Sequence, residues 1–447
     1  MLYQAELHSD RAAALEDARK FCKRAQARAE QERRSAAGLS NDRFFAYASC
    51  MIKGSQAEMM ELITTTERLA EFCALAHAAP YVTVDTEFLR ERTYYSKLCL
   101  LQMALPGEGG PQDGPAVLVD PLAKGLSLEP FYVLLRDETT VKVLHAARQD
   151  LEIFYIDGGT LPRPLFDTQI AAMVCGFGDQ IGYETLVRKL AKGSVDKSSR
   201  FTDWSARPLS EAQLRYALAD VTHLRVIYER LSRQLKDSGR DAWVAEELAT
   251  LNDPETYVTR PEEAWKRIKT RNDSGRFLAI MRELAAFREA HAQSRDVPRS
   301  RVYKDDALLE LAALKPQTHE DLGRTRLLLR EARRGDIAEG ILAAVKRGMD
   351  LPLKDLPEAP NGRGNIQVNP ALADLLRVLL KAKSDETDVA ARLIASASDL
   401  DSLAAGLRDV PALKGWRAEV FGADALKLCE GQLGLAVRGE RVQVIAL

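Results

Sequence analysis

The chain has 447 residues, of which 46% are hydrophobic and 29% charged, and this length exceeds what one hydrophobic core organises, so we expect several domains. Its formal net charge of -2 excludes a uniformly basic nucleic-acid coat but permits a local basic groove. Because the chain has neither an apolar run of membrane-spanning length nor a signal-peptide pattern, we expect a cytoplasmic protein that binds no membrane. No obligate protein partner is evident from the sequence.

Residues 1–58 predict a charged N-terminal extension, because they are rich in Ala, Arg, Glu and Gln. Charge runs of this kind usually form a solvated helix or a partly disordered segment. A start codon assigned too early, upstream of Met51, Met59 or Met60, is the alternative. We assign no function to this segment.

Residues 59–252 alternate strand and helix patterns and predict one α/β domain. The predicted strands are ELITTT, YVTVDTEF, LCLLQMAL, AVLVD and VKVLHAA. The predicted helices are TERLAEFCALAHAA, SLEPFYVLLRD, RQDLEIFYIDG, a helix that begins at Asp167 in LFDTQIAA, and SEAQLRYALADVTHLRVIYERLSRQLK. Three successive strands before an αβα unit indicate a mixed sheet flanked by helices.

After Asp253 the strand patterns stop. The segment DPETYVTRPEEAW is typical of a linker, and residues 262–350 predict a helical domain. A second linker rich in Pro and Gly, DLPLKDLPEAPNGRGN, precedes a last helical block at residues 365–447. Within that block, LGLAVRGERVQVIAL indicates a short strand.

Two carboxylates, Asp85 and Glu87, follow the apolar strand pattern YVTV. They project to one side, because residues i and i+2 of a strand share a face. Neighbouring carboxylates repel each other, and a divalent cation would neutralise them. The six cysteines and six histidines show no metal-ligand spacing, so any metal here would take oxygen ligands, as Mg²⁺ and Mn²⁺ do. The alternative is an ordinary strand end whose acids face water.

Two further acids occur after these. Asp150 lies at the start of the helix that follows VKVL, where an acid can also simply stabilise the helix dipole. Ser210 and Gln213 predict a capping box for a long helix on which Tyr216 and Asp220 share one face, unless they form a plain surface pair. Four converging acids can bind two metal ions about 4 Å apart, as phosphodiester hydrolysis requires.

The segments DTEF, HAARQDLE and YALAD resemble the three motifs of the DEDD 3′–5′ exonucleases, and Tyr216, four residues before Asp220, is the mark of the DEDDy branch. Together with VDPL, FDTQIAA and DKSSRFTDWSARPLS, they resemble the ribonuclease D family over roughly residues 60–235. DVPRSRVYKDDALLELAALKP resembles an HRDC domain well, and residues 365–447 resemble one more weakly. The resemblance implies a ribonuclease H-like α/β exonuclease domain followed by two all-α HRDC-like domains.

The resemblance also implies a chemistry. Asp85, Glu87, Asp150 and Asp220 would bind two divalent ions, Mg²⁺ or Mn²⁺, while Tyr216 orients the attacking water. The implied substrates are tRNA precursors and other structured RNAs, and the products are nucleoside 5′-monophosphates. A DNA exonuclease of the same superfamily is one alternative, since 2′-OH contacts cannot be identified from the sequence. A non-catalytic RNA-binding protein is the other, although all four acids and the tyrosine are present.

Candidate substrate contacts complete the predicted nuclease site. Phe88 would stack on a terminal base, and His145 would contact the terminal nucleotide or the scissile phosphate. Each fits a core position equally well. Lys197 would contact the phosphate backbone of the RNA. The alternative is that its loop only packs on the sheet through Trp204 and that its cations are solvated.

A basic cluster precedes the predicted helix at Asp305 in the first helical domain. Arg299 and Arg301 are its candidates for phosphate contacts, which give affinity without sequence specificity. Tyr303 is a candidate for base stacking. The alternative is a solvated loop.

Overall fold

The computed structural model describes residues 61–196, 198–358 and 367–447, so the predicted extension at residues 1–58 lies outside the described residues. The chain forms two compact units. The first contains the described residues of 61–87, 98–256 and 367–447, and the second contains those of 88–97 and 257–358. The four-segment division of the chain stays a prediction.

A six-stranded sheet forms the centre of the first unit. Its strands are β1 (Glu61–Ile63), β2 (Tyr81–Leu89), β3 (Lys97–Ala104), β4 (Ala116–Val119), β5 (Val141–Leu144) and β6 (Leu165–Asp167). The strand order is β1-β4-β3-β2-β5-β6. Strand β3 runs antiparallel to β4, whereas β1 and β4, β2 and β5, and β5 and β6 pair in parallel. The predicted mixed sheet is confirmed.

Helices accompany this sheet along the chain. They are α1 (Thr66–Ala78), α2 (Glu129–Arg136), α3 (Arg148–Gly158), α4 (Thr168–Val174), α5 (Tyr183–Leu186), α6 (Glu211–Ser238) and α7 (Asp241–Leu251), with a π-helical turn at Val187–Ala191. The predicted capping box of α6 is confirmed, because Ser210 accepts a hydrogen bond from the backbone N–H of Gln213 and the Gln213 side chain accepts one in return.

Strand β2 lies inside the sheet, and its first four residues are buried, as its continuous apolar pattern predicts. The Thr83 hydroxyl contacts the carbonyl of Val221 at 2.9 Å, which ties β2 to α6. One strand escaped the sequence analysis. Residues Leu165–Asp167 form β6, and α4 begins only at Thr168, because a three-residue strand has too few alternations to be detected.

The second unit is helical. Its helices are α8 (Gly275–Arg295), α9 (Arg299–Val302), α10 (Asp305–Leu314), α11 (His319–Gly323) and α12 (Gly335–Asp350), with 3₁₀ turns at Pro261–Arg267, Glu331–Arg333 and Leu353–Asp355. The apolar face of α8 organises the core, in which Leu278, Met281 and Leu284 are fully buried.

The last block, residues 367–447, belongs to the first unit. It contains α13 (Pro370–Thr387), α14 (Ala391–Ile394), α15 (Ala397–Ala404), α16 (Gly415–Arg417) and α17 (Ala423–Cys429), with a 3₁₀ turn at Pro411–Leu413 and a π-helical turn at Ala418–Gly422. Strands β7 (Leu433–Arg438) and β8 (Arg441–Ala446) then form an antiparallel hairpin, where the sequence indicated one short strand.

The last block packs against α7 through aromatic and charged side chains. The rings of Trp243 and Trp416 stack at 4.7 Å with an interplanar angle of 11°. Arg417 forms an ion pair with Glu247 beside this stack. Within residues 61–196, 198–358 and 367–447, no helix has both the length and the apolar character that crossing a membrane requires.

Candidate active site

The first two acids lie where β2 extends beyond its pairing with β5. That pairing ends at Thr83 opposite Val143, so Asp85 and Glu87 lie in the part of β2 that continues past β5. Both side chains are half-buried. The backbone of a central strand thus delivers two carboxylates to the end of the sheet.

The third acid is brought to β2 by the neighbouring strand. Strand β5 ends at Leu144, and Asp150 lies in the first turn of α3, where its side chain is only 6% exposed. Thr86, between the two acids of β2, donates a hydrogen bond from its hydroxyl to the Asp150 carboxylate. This contact fixes Asp150 against the strand that carries Asp85 and Glu87.

Helix α6 supplies Asp220 and Tyr216, as their spacing of four residues predicts. A hydrogen bond from Tyr216 to the Asp220 carboxylate lowers the pKa of that acid, although burial outweighs it. The backbone of α6 is fixed here as well, because the Tyr183 hydroxyl donates to the carbonyl of Asp220 at 2.6 Å.

Electrostatics show that the four acids share one site. Burial raises the pKa of Asp85 well above its usual range, and the negative charges of Asp220, Asp150 and Glu87 raise it further. Burial, with Asp220 and Asp150, raises the pKa of Glu87 to about 8. Burial also raises the pKa of Asp150 to about 7, and it raises that of Asp220 to about 7. Acids from β2, α3 and α6 therefore destabilise one another's charge.

This donor set fits a divalent cation by its chemistry. All four side chains are carboxylates, which are the ligands of hard ions such as Mg²⁺ and Mn²⁺, and their repulsion is what a cation would relieve. Across the described ranges, no three His, Cys, Asp or Glu side chains are placed as a closed set of metal ligands.

The loop before α6 carries a basic side chain whose charge acts on the acids. The positive charge of Arg200 lowers the pKa of Glu87 and of Asp220, opposing the effect of burial. Further along this loop, Trp204 is only 3% exposed, and its ring lies 6.0 Å from that of Tyr216. The packing role of Trp204 is thereby confirmed.

Arg207, in the same loop, has a structural partner that follows β4. Its guanidinium forms two hydrogen bonds with the Asp120 carboxylate, at 2.8 and 2.7 Å, and a third with the carbonyl of Cys99 at 2.6 Å. Asp120 follows β4 in the segment VDPL. The segments VDPL and ARPL thus meet in space and hold the loop on the sheet.

His145 is half-buried beside α4, and its contacts define its protonation. Its Nδ1 lies 3.0 Å from the Thr168 hydroxyl, and that hydroxyl donates its proton to the carbonyl of Leu144 at 3.1 Å. Thr168 must therefore accept from His145, which places the ring proton on Nδ1. Burial lowers the pKa of His145, so the ring is neutral near pH 7 and Nε2 is a hydrogen-bond acceptor.

The other predicted substrate contacts fall in different settings. Phe88 follows Glu87 in β2 and is half-buried, whereas Lys197 lies outside the described residues. In the helical unit, Arg301 is exposed, as a phosphate contact requires. Their roles stay predictions.

Arg299 and Tyr303 are engaged inside the helical unit. Arg299 donates to both oxygens of Glu289, at 2.5 and 2.6 Å, so a structural role accounts for it and its RNA contact stays a prediction. The stacking prediction for Tyr303 is wrong. This side chain is 1% exposed, and its hydroxyl donates to the carbonyl of Leu284 at 2.8 Å.

Two residues that position the acids, and one exposed aromatic residue in the loop before α6, escaped the sequence analysis. Thr86 bonds the Asp150 carboxylate, and Tyr183 bonds the backbone carbonyl of Asp220. Sequence patterns do not reveal such contacts, because the partners are distant in the chain. Phe201 is an exposed phenylalanine in the loop before α6. The sequence could have indicated that Phe201 is exposed, since it is an aromatic residue in the otherwise polar stretch KSSRFTD.

Comparison with known proteins identifies relatives that match most of this chain. Residues 60–236 match the family model of a 3′–5′ exonuclease, and residues 277–345 match that of the HRDC domain. Ribonuclease D of Jannaschia sp. (strain CCS1) is 62% identical over 387 residues, covering 87% of this chain and 100% of the relative. Ribonuclease D of Granulibacter bethesdensis is 49% identical, covering 86% of this chain and 96% of the relative.

A solved structure agrees with these sequence relatives. The crystal structure of Escherichia coli RNase D, described as an exoribonuclease involved in structured RNA processing, is 31% identical to this chain. It superposes with a TM-score of 0.73, covering 83% of this chain and 99% of the other.

Proposed function

This chain belongs to the ribonuclease D family of 3′–5′ exoribonucleases, and on that premise we propose that it trims the 3′ ends of tRNA precursors and other structured RNAs. The gathering of four carboxylates from β2, α3 and α6 beside Tyr216 carries the proposal, since these acids raise one another's pKa and together form a ligand set that divalent ions can bind. The 31% identity with an Escherichia coli exoribonuclease of structured RNA processing supports the substrate class.

Exonucleases of this fold generally depend on divalent metal ions. The finer proposal is that Asp85, Glu87, Asp150 and Asp220 hold two ions, Mg²⁺ or Mn²⁺. When bound, such ions neutralise charge on the reacting phosphate and promote deprotonation of water. The protein contributes the carboxylates, together with Thr86 and Tyr183, which fix Asp150 and the backbone at Asp220.

The reaction is hydrolysis of the last phosphodiester bond. The oxygen of water attacks phosphorus, the bond to the 3′ oxygen of the penultimate nucleotide breaks, and that oxygen takes up a proton. The released nucleotide keeps the phosphate on its 5′ carbon. Tyr216, at the end of the acid cluster, orients the attacking water by hydrogen bonding, so no covalent intermediate with the protein is required.

His145 supports recognition of the terminal nucleotide. Its neutral ring presents Nε2 as an acceptor, because Thr168 holds the proton on Nδ1. An acceptor at this position suits a ribose hydroxyl, which donates, rather than a phosphate oxygen, which only accepts. Of the two contacts predicted for His145, the geometry therefore favours the terminal nucleotide.

The test is a degradation assay on purified protein. A 3′-extended tRNA labelled at its 5′ end is incubated with Mg²⁺, with Mn²⁺ or with EDTA, beside an unstructured RNA and a matched single-stranded DNA. We expect a ladder of RNA products shortened from the 3′ end. EDTA should abolish this ladder, and the DNA should stay intact. Chromatography of the released nucleotides should show 5′-monophosphates.

Each arm of this assay can contradict a different part of the proposal. Shortening of DNA in preference to RNA would replace the RNA substrate with DNA. Full activity in EDTA would remove the metal assignment. An intact tRNA under every metal condition, with shortening of an unstructured RNA, would confine the activity to single strands and overturn the structured-RNA substrate.

A further inference from the structure

Phe201 is a large apolar side chain that stands in solvent beside the acid cluster. It is 91% exposed, the highest value among the exposed large hydrophobic side chains of the described residues. Phe72, Phe131 and Phe154, by contrast, are at most 1% exposed. An exposed phenylalanine forgoes the stabilisation that burial of an aromatic ring provides, so a ligand that covers this ring would gain that stabilisation.

The loop around Phe201 is anchored on both sides. Ser199 and Trp204 are only 4% and 3% exposed. Between them, the Thr202 hydroxyl donates to the carbonyl of Ser199 at 2.8 Å and accepts from the side-chain amide of Gln213 in α6 at 3.0 Å. These contacts hold the backbone on either side of Phe201, so its ring is presented to solvent by a fixed loop.

The side chain next to Phe201 is a cation whose charge acts on the acids. The guanidinium carbon of Arg200 lies 5.3 Å from the centroid of the Phe201 ring. The charge of Arg200 also acts on Glu87, and the loop contacts the catalytic helix where Trp204 packs 6.0 Å from Tyr216. An aromatic ring and a positive charge therefore lie together at the margin of the nuclease site.

We propose that Phe201, supported by Arg200, is a stacking surface for an unpaired RNA base close to the 3′ end, as that end approaches the four acids. Stacking on an aromatic ring suits every base, because each base has a π face, and a processing exonuclease must accept every nucleotide in turn. Arg200 on the ring adds cation–π attraction and draws the phosphate backbone toward the site. This inference rests on the proposed function.

Binding measurements on an inactive protein test the stacking surface directly. A 5′-fluorescent single-stranded RNA is titrated by anisotropy with Asp85→Asn protein, with and without Phe201→Ala, Phe201→Leu or Phe201→Trp. We expect Phe201→Ala and Phe201→Leu to weaken binding roughly tenfold and Phe201→Trp to preserve it, since only an aromatic ring stacks. Val437→Ala, at a side chain 75% exposed in the C-terminal hairpin, is the control for loss of exposed apolar surface.

A series of RNAs, each with one abasic nucleotide near the 3′ end, locates the base. Removing the base that stacks should weaken RNA binding by the protein that keeps Phe201. With that abasic RNA, Phe201→Ala should cause no further loss of affinity. At every other position the two losses should add. Additive losses at all positions, or equal binding by the alanine and phenylalanine proteins, would overturn the stacking surface.

Kinetics separate this inference from the proposed function. In the active protein, Phe201→Ala should raise KM for single-stranded RNA and leave kcat nearly unchanged. If the unmodified protein shortens no RNA, the proposed function fails. If it shortens RNA but Phe201→Ala changes neither KM nor affinity, the stacking surface alone fails.

Discussion

Buried carboxylates occur in both units of the molecule, in opposite electrostatic states. In the helical unit, Glu289 is 1% exposed, and burial alone would raise its pKa. Hydrogen bonds from Arg299 and Tyr94 outweigh burial, so the pKa of Glu289 lies below its usual range. In the nuclease site, burial and mutual repulsion raise the pKa values of Asp85 and Glu87.

The difference lies in where the compensating charge comes from. Glu289 receives two hydrogen bonds from Arg299, at 2.5 and 2.6 Å, and its charge is neutralised within the fold. The nuclease acids have mainly one another, and Arg200 offsets their charge only in part, so their pKa values stay raised. Burial of an acid alone thus does not mark a site, whereas burial with a raised pKa among like charges does.

The largest expected effect comes from removing one nuclease acid. Asp85→Asn should lower RNA hydrolysis by roughly a thousandfold or more, because the amide cannot supply the charge that a metal ion requires. RNA binding and the melting temperature should change little. The rate is measured with the 5′-labelled tRNA substrate, and binding is measured by anisotropy.

Asp237→Asn is the matched control, since Asp237 is an exposed acid near the end of α6. It should retain full activity. Comparable losses in the two variants would contradict the special role of Asp85, and full activity of Asp85→Asn would remove the metal-site assignment.

The second effect concerns the acid that the fold neutralises. Arg299→Ala leaves Glu289 buried without its cation, which should destabilise the helical unit by about 3 kcal/mol. Arg301→Ala, at an exposed arginine two residues away, should leave stability unchanged and weaken RNA binding if Arg301 contacts phosphate. Urea unfolding and salt-dependent binding curves distinguish the two. Unaltered stability of Arg299→Ala would contradict the structural role of this ion pair.

The third effect is the pH dependence of stability without metal. The pKa of Asp150 is about 7 in the folded protein against an ordinary value of 3.8, so the folded state binds the proton more tightly. That stabilisation is complete at low pH and is lost as the pH rises through about 7. In EDTA, Asp150→Asn should therefore melt higher than the unmodified protein by roughly 5 °C at about pH 8.

The stability gap between these two proteins should narrow as the pH falls toward about 5, since Asp150 is then protonated in the folded state. Mg²⁺ or Mn²⁺ should raise the melting temperature of the unmodified protein at the higher pH and leave that of Asp150→Asn nearly unchanged. A gap that is constant with pH would show that burial of the charged Asp150 carboxylate does not limit stability.

The smallest effect comes from the residue that orients Asp150. Thr86→Val keeps the size of the side chain but removes the hydroxyl that bonds the carboxylate. Metal affinity should fall roughly tenfold, as is usual for loss of a partner of a metal ligand. Thr86→Ser should restore it. Calorimetric titration with Mn²⁺ measures the affinity, and equal affinities of all three proteins would contradict this role.

Short-range patterns made much of the fold predictable. The apolar runs that became β2, β3, β4 and β5 and the capping box at Ser210 are local features, and each is present in the structure. The strand β6 and the second strand of the C-terminal hairpin were not separated from their neighbours, because periodicity is weak over short segments.

By itself, the sequence determined which residues could carry the chemistry, since Asp85, Glu87, Asp150, Tyr216 and Asp220 stand in recognisable segments. Only the tertiary structure decided which charges have partners. It paired Arg299 with Glu289 and Arg207 with Asp120, buried Tyr303, and left Phe201 in solvent. The physical reason is that partners distant in the chain meet only after folding, and a side chain's charge state and exposure depend on those partners.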